Sequence, residues 1–330
     1  MARREEFSFL SSNGKTKVHG VRWVPYDGNF RAILQISHGM CEHMGRYEEF
    51  ASFVADYGFL VVGHDHVGHG DSIESKDDFG YFGKHPSDIL VEDMHQVRKM
   101  TETNKPYFMM AHSMGSYMLR KYLSIHGDGL SGAIVMGTGY IPQPVILFGI
   151  SIAKLQGCIM GTHHRSKLLR ELSYSKPYKK FDSYGKDYTK SWLTKDIDEV
   201  KKYFSDKRCL FTFTCNGYLG LFEAISFCCK KKNAERIPKD IPIWLISGDD
   251  DPVGDLGEGV RKVERLYKSV GIKSVECKLY PGDRHEIIHE IDKDIVYRDI
   301  IAWLNSRIDK WCFLYDWVPR SYVSCEALSI

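Results

Sequence analysis

The chain has 330 residues, 43% of them hydrophobic, enough for one large core or a core with a smaller insertion. Its 45 basic and 43 acidic side chains leave a formal charge of +2. That balance argues against nucleic acid or an anionic membrane as the main partner.

The chain opens on Met1-Ala2-Arg3-Arg4 with no apolar stretch behind the arginines, which does not read as a secretory leader. Phe7 and Phe9, then Val18, Val21 and Trp23, alternate as two antiparallel strands joined by a turn at Ser11-Ser12-Asn13-Gly14. Short, dense apolar runs follow at 32–36, 59–62, 107–110, 133–136, 243–246 and 275–279. Runs of this kind are strands covered on both faces. Helical spacing fills the gaps at 47–57, 89–103, 116–125 and 260–269. Strand alternating with helix implies a parallel, doubly wound α/β sheet.

One region breaks that rhythm. Residues 140–240 hold Pro142, Pro144, an apolar segment at 145–160, a polar aromatic stretch at 174–192 and an apolar helix at 210–229. The expected division is a core of 1–139 and 241–330 with a cap of 140–240. The stretch 210–229 is the most membrane-like, but Asn216, Gly217, Gly220 and Glu223 favour a buried helix. The aromatic tail 311–330 has no clear pattern. Nine cysteines, irregularly spaced and without C-x-x-C, read as reduced thiols of a cytoplasmic protein rather than a zinc knuckle.

Ala111-His112-Ser113-Met114-Gly115 follows a strand and opens a helix, the context of a nucleophile elbow. The turn requires small residues two before and two after the serine. Gly115 meets this, and Ala111 replaces the usual glycine at the cost of one methyl. The bland alternative is a serine capping a helix. In this arrangement an acid and then a histidine follow in chain order. Asp249, Asp250 and Asp251 compete for the acid, and like charges this close do not all sit buried and ionised. His285 occupies the loop after the last strand. His289, four residues on, reads as a helix-face residue.

An oxyanion hole needs two backbone N–H donors. Met114, just after the serine, offers one. Met40, in Ser37-His38-Gly39-Met40, offers the other, with Glu42, His43 and Arg46 placed to brace the loop. His64-Asp65-His66-Val67-Gly68-His69-Gly70 invites a metal reading, but no closed ligand set is visible and a tight loop explains it better.

The chain resembles the monoacylglycerol lipase and lysophospholipase-like α/β hydrolases, the serine aminopeptidase S33 group. The matching residues are His38-Gly39-Met40-Cys41-Glu42-His43-Met44-Gly45-Arg46-Tyr47, Asp65-His66-Val67-Gly68-His69-Gly70-Asp71-Ser72 and His112-Ser113-Met114-Gly115. Gly248-Asp249-Asp250-Asp251-Pro252-Val253-Gly254 and Tyr280-Pro281-Gly282-Asp283-Arg284-His285-Glu286 complete the set. In the cap, Trp192-Leu193-Thr194-Lys195-Asp196 looks like bacterial members.

The resemblance covers about residues 15–307. It implies an α/β-hydrolase fold with a mostly parallel eight-stranded sheet and a helical cap. It implies Ser113 as nucleophile, Asp251 as the acid, His285 as base, Met40 and Met114 as oxyanion donors, and no cofactor. The implied substrates are acyl esters such as monoacylglycerols or lysophospholipids, with transient membrane or micelle contact through the cap. Amide cleavage, acyl transfer and a non-catalytic binding role on the same scaffold are the alternatives.

Overall fold

The computed structural model describes residues 2–174 and 177–315, with side chains as far as Ile308. Most of the tail at 311–330 lies outside the described residues. Eight strands form one sheet: β1 (Arg3–Leu10), β2 (Lys17–Val24), β3 (Ala32–Ser37), β4 (Phe59–His64), β5 (Tyr107–His112), β6 (Gly132–Met136), β7 (Ile243–Gly248) and β8 (Val275–Tyr280). Their order is β1-β2-β4-β3-β5-β6-β7-β8. Only the β1–β2 and β2–β4 pairs are antiparallel. The sequence expectation of a mostly parallel α/β sheet holds.

Strands β3 to β7 are buried throughout, which is why they read as unbroken apolar runs rather than alternating ones. Helices α1 (Glu48–Asp56) and α10 (Lys293–Tyr315) cover one face, where Phe50, Val54, Ile300 and Leu304 pack against Phe108 and Ile134. On the other face lie α2 (Pro86–Thr101), α3 (Met114–His126) and α9 (Glu258–Ser269), packed through Met94, Met118, Leu119 and Val263. Full burial of each such side chain contributes about 1.5–3 kcal/mol.

Between β6 and β7 the chain leaves the sheet for α4 (Gln143–Met160), α5 (Lys167–Ser173), α6 (Ile197–Ser205), α7 (Cys215–Cys228) and the single turn α8 (Lys231–Ala234). Two expectations change here. The helix read at 210–229 begins only at Cys215, because Thr214 caps it by accepting from the Gly217 amide. Phe211 and Phe213 lie before it, against Phe79, Phe82 and His69. The most membrane-like element is α4 instead. Among the described residues it is the one helix long and apolar enough to cross a bilayer, yet only 11% of it is buried. It lies on α7, with Ile146 and Ala153 buried, while Leu155 and Ile159 face outward.

Candidate active site

The turn from β5 to α3 consists of Ser113 alone, held at φ 53° and ψ −119°. A serine in this region is strained and persists only where its surroundings over-determine it. They do so here. The Ser113 amide donates to Met136 O (3.0 Å), and its carbonyl accepts from the Ser116 amide (2.9 Å) and hydroxyl (2.6 Å). Gly115 is needed because a Cβ there would lie 2.5 Å from the carbonyl oxygens of Ser37 and His38. Ala111 is fully buried in β5.

Asp251 follows β7 and His285 follows β8. His285 Nδ1 lies 3.0 Å from Asp251 Oδ1. The carboxylate also accepts from Ser247 Oγ (2.7 Å) and the Val253 amide (2.8 Å). Burial opposes ionisation of Asp251, but the His285 interaction and these two donors outweigh it, holding the carboxyl below its ordinary range. In the tautomer that places Nδ1–H on the aspartate, His285 Nε2 is left as an acceptor. It is buried and has no partner among the described residues.

The competing residues sit elsewhere. Asp249 accepts from the Gly282 amide (2.6 Å), and Asp250 pairs with Lys180. His289 is buried in a 3-10 turn, 3.7 Å from Glu199.

Ser113, Met114, Met40 and His285 share one cavity of about 480 Å³. Its remaining wall is largely apolar and comes from the segment between β6 and β7, including Ile146, Phe148, Leu172 and Ile225. From the stretch at 145–160, Val145, Ile146, Phe148 and Gly149 line this wall.

Beneath the cavity lies a buried charge network. Glu42 accepts from the Gly39 amide, Tyr47 OH (3.0 Å), His112 Nδ1 (3.1 Å) and Arg46 (3.1 Å). Arg46 in turn makes a bidentate pair with Glu286, at 2.6 and 2.7 Å. Burial would raise the Glu42 carboxyl, yet His112 and Arg46 hold it well below its usual range. The same pairing lifts His112 despite its burial. The network thus joins the loop after β3, the residue before Ser113 and the residue after His285. The bracing role foreseen for Glu42 and Arg46 is visible in these bonds. His43 braces the loop as well, its Nδ1 accepting from the Gly45 amide (3.1 Å), while its Nε2 reaches Asp206 (2.8 Å), between α6 and α7.

Several contacts around His285 escaped the sequence reading. Trp192 packs over its ring, with centroids 5.0 Å apart. Arg284 donates to the carbonyls of Ser191 (2.6 Å) and Thr194 (3.3 Å), and the Glu286 amide donates to Leu193 O (2.7 Å). The Trp192-Leu193-Thr194 string was visible, but nothing in it signals a partner so far along the chain.

The imidazoles of His38, His64, His66 and His69 form a buried cluster beside the loop after β3, with neighbouring centroids 4.5–5.1 Å apart. Asp65 is engaged by His19 (3.0 Å) and by the amides of Met44 and Asp71. Its role there is to hold the loop.

The sequence matches the Hydrolase_4 family, serine aminopeptidase S33, over residues 28–292. The chain belongs to this family. A carboxyl esterase from Bacillus coagulans, solved in complex with glycerol, superimposes with a TM-score of 0.83 at 33% identity. That match covers 93% of this chain and 99% of the other. The monoglyceride lipase homolog of Monkeypox virus is 28% identical over 284 residues, covering 84% of this chain and 91% of its own. Human monoglyceride lipase is 26% identical over 291 residues, covering 86% of each chain. The fold of this S33 hydrolase is therefore the α/β-hydrolase fold, and its relatives are viral and human as well as bacterial.

Proposed function

We propose that this S33 hydrolase cleaves carboxylic esters through an acyl-enzyme on Ser113, with His285 as general base and Asp251 as its orienting acid. The observation that carries this reading is the His285 ring. One nitrogen is fixed on a buried carboxylate, and the other is unpartnered in the cavity that also holds Ser113.

Attack by Ser113 on the ester carbonyl passes its proton to His285 Nε2. The resulting imidazolium is stabilised by Asp251. Amide groups of Met40 and Met114 hold the oxyanion. The proton then leaves with the alcohol, and water activated by His285 releases the acid.

The apolar wall favours a fatty acyl chain, so monoacylglycerols and lysophospholipids are the proposed substrate class. Residues 140–240 act as the cap over a core of 1–139 and 241–330. The outward apolar face of α4 supports transient contact with a membrane or micelle. The seven described cysteines are unpaired, which supports a reducing, cytoplasmic setting.

The test is hydrolysis of p-nitrophenyl esters across acyl lengths by the wild type and by Ser113→Ala. The expected outcome is a preference for longer chains and loss of turnover in the variant. An active Ser113→Ala protein would remove the proposed nucleophile. Absence of turnover on every ester, with no labelling of Ser113 by a fluorophosphonate, would overturn the hydrolytic reading.

A further inference from the structure

Strand β8 closes one edge of the sheet, with β7 as its one strand neighbour among the described residues. The Ile243 amide donates to Ser274 O (2.9 Å) at one end of that ladder, and the Asp249 amide to Tyr280 O (3.1 Å) at the other. Alternate residues of a strand turn their backbone groups to opposite sides, so the even-numbered residues of β8 face β7. The N–H and C=O groups of Val275, Cys277 and Leu279 therefore point away from the sheet. Among the described residues no hydrogen bond reaches them. A groove of about 610 Å³ opens beside Glu276, Cys277 and Lys278. A row of unpaired backbone groups at an open edge is a template for another strand.

The side chains say which strand. Glu276 pairs with Arg307 and Lys278 with Asp299, both on α10, so the two charges stand on one face of the strand. Neither is used up by its partner, since Glu276 stays 46% and Lys278 43% exposed. Counted outward from Cys277, the first residues are Glu276 and Lys278, of opposite sign. The second are Val275 and Leu279, both aliphatic. The strand is thus complementary to its own reverse.

We propose that β8 pairs antiparallel with β8 of a second copy of this chain, about a two-fold axis at Cys277. Cys277 then lies opposite Cys277 of the partner subunit, and Val275 opposite Leu279 of the partner subunit. The outward amides and carbonyls exchange about six hydrogen bonds. Glu276 lies opposite Lys278 of the partner subunit, in a pair without backbone bonds, where side chains approach most closely. Two-fold symmetry makes the same contact twice. Charges then alternate along each row, from Arg307 and Glu276 to Lys278 and Asp299 of the partner subunit. Moving the axis to Glu276 or to Lys278 keeps the outward groups paired, but sets Glu276 or Lys278 against its own copy. Charge therefore selects one register. The C-terminal ends of the strands, which carry Ser113, Asp251 and His285, point in opposite directions in the two copies, so both cavities stay open.

The experiment is sedimentation velocity of the full chain from about 1 to 100 µM. Wild type is expected to reach twice the chain's mass. Lys278→Glu and Glu276→Lys should each weaken the dimer by about tenfold or more, because each opposes like charges at both contacts. An equimolar mixture of the two variants should dimerise again, since every contact is once more Glu against Lys. Variants that merely misfold would not be rescued by mixing. Cys277→Pro removes an outward amide and no bond to β7, and should give a folded monomer by circular dichroism.

The axis is read separately. Treatment with bismaleimidoethane should link two chains through Cys277, as mapped by mass spectrometry of the joined peptides. A chain that stays monomeric over the whole range would overturn the proposal, and slow exchange of the Cys277 and Leu279 amides in that monomer would assign the edge to another segment of the same chain. A dimer indifferent to both charge reversals and to Cys277→Pro would overturn it too, since its interface would lie elsewhere.

Discussion

His285 Nδ1 and Asp251 Oδ1 face each other at 3.0 Å, and the same carboxylate takes Ser247 Oγ at 2.7 Å. Its neighbours Asp249 and Asp250 are spent on the Gly282 amide and on Lys180. Asp251→Asn should therefore lower kcat on p-nitrophenyl esters by about 10⁴-fold, because an amide stabilises the wrong tautomer of the histidine. Asp249→Asn and Asp250→Asn should stay within about threefold of wild type, since neither touches the ring. Steady-state kinetics on the three variants checks the assignment.

Gly39 is packed against the serine. A Cβ at this position would lie 3.0 Å from Ser113 Cβ and 2.6 Å from Glu42 Oε1. Gly39→Ala should push the loop that carries Met40 away from the cavity. The expected loss in kcat is about 10²-fold, the scale of one missing oxyanion donor. An unchanged circular dichroism spectrum would separate this from unfolding.

Arg46 stands between Glu42 and Glu286 (3.1 and 2.6 Å), with all three side chains nearly buried. Arg46→Met leaves two carboxylates without their cation and should destabilise the fold by about 3–5 kcal/mol at neutral pH. Burial raises the Glu286 carboxyl, and Arg46 overrides it to hold the group below its usual range. That part of wild-type stability is present above the unfolded carboxyl range and is lost as pH falls through the folded one. The gap between variant and wild type in urea denaturation should accordingly narrow in acid.

The histidine cluster sets an acid limit. Burial, the largest influence on each, depresses His64 and His69 to about 3 and His289 to about 4. Below the ordinary histidine pKa of about 6.5 the unfolded chain binds protons that the folded chain refuses, so stability falls as pH falls. Each such histidine contributes a loss on the order of 2 kcal/mol between about pH 6.5 and pH 5. Thermal melts across that interval measure it. A melting temperature independent of pH there would contradict the neutral, buried state of these rings.

Leu155 and Ile159 on α4 are 61% and 73% exposed, and neither lines the cavity. Changing both to serine should weaken binding to lipid vesicles by about 10²-fold, given about 1.5–3 kcal/mol for each large apolar side chain buried. Turnover of a short, soluble ester should hardly change. Co-sedimentation with vesicles, paired with the soluble assay, distinguishes a surface-seeking helix from one that only lines the cavity.

Much of this architecture was legible because it is local. A serine between a strand and a helix, with glycine two residues on, specifies a tight turn from its own neighbours. The unbroken apolar strands declare burial on both faces. The three aspartates could not be separated this way, since what distinguishes Asp251 is Ser247 below it and His285 from another loop. Arg46 and Glu286 are 240 residues apart, and no spacing rule links them. The extent of α7 was misread because Phe211 and Phe213 are apolar for the sake of an aromatic cluster, not a helix face. The exposure of α4 was hidden for a related reason: composition reports how apolar a segment is, not whether anything covers it.

The Arg284 bonds to Ser191 and Thr194, with the Lys195–Asp283 pair at 2.7 Å, have a consequence for engineering. Residues 189–195 are mortared to the very loop that carries His285, whereas α4 rests mainly on α7, within the insertion itself, and buries only Ile146 and Ala153. Grafting the whole 140–240 insertion from a relative would import a foreign wall for the histidine. The exchangeable module is smaller: α4 and α5, replaced while residues 189–195 stay, should alter which substrates enter without disturbing the ring that acts on them.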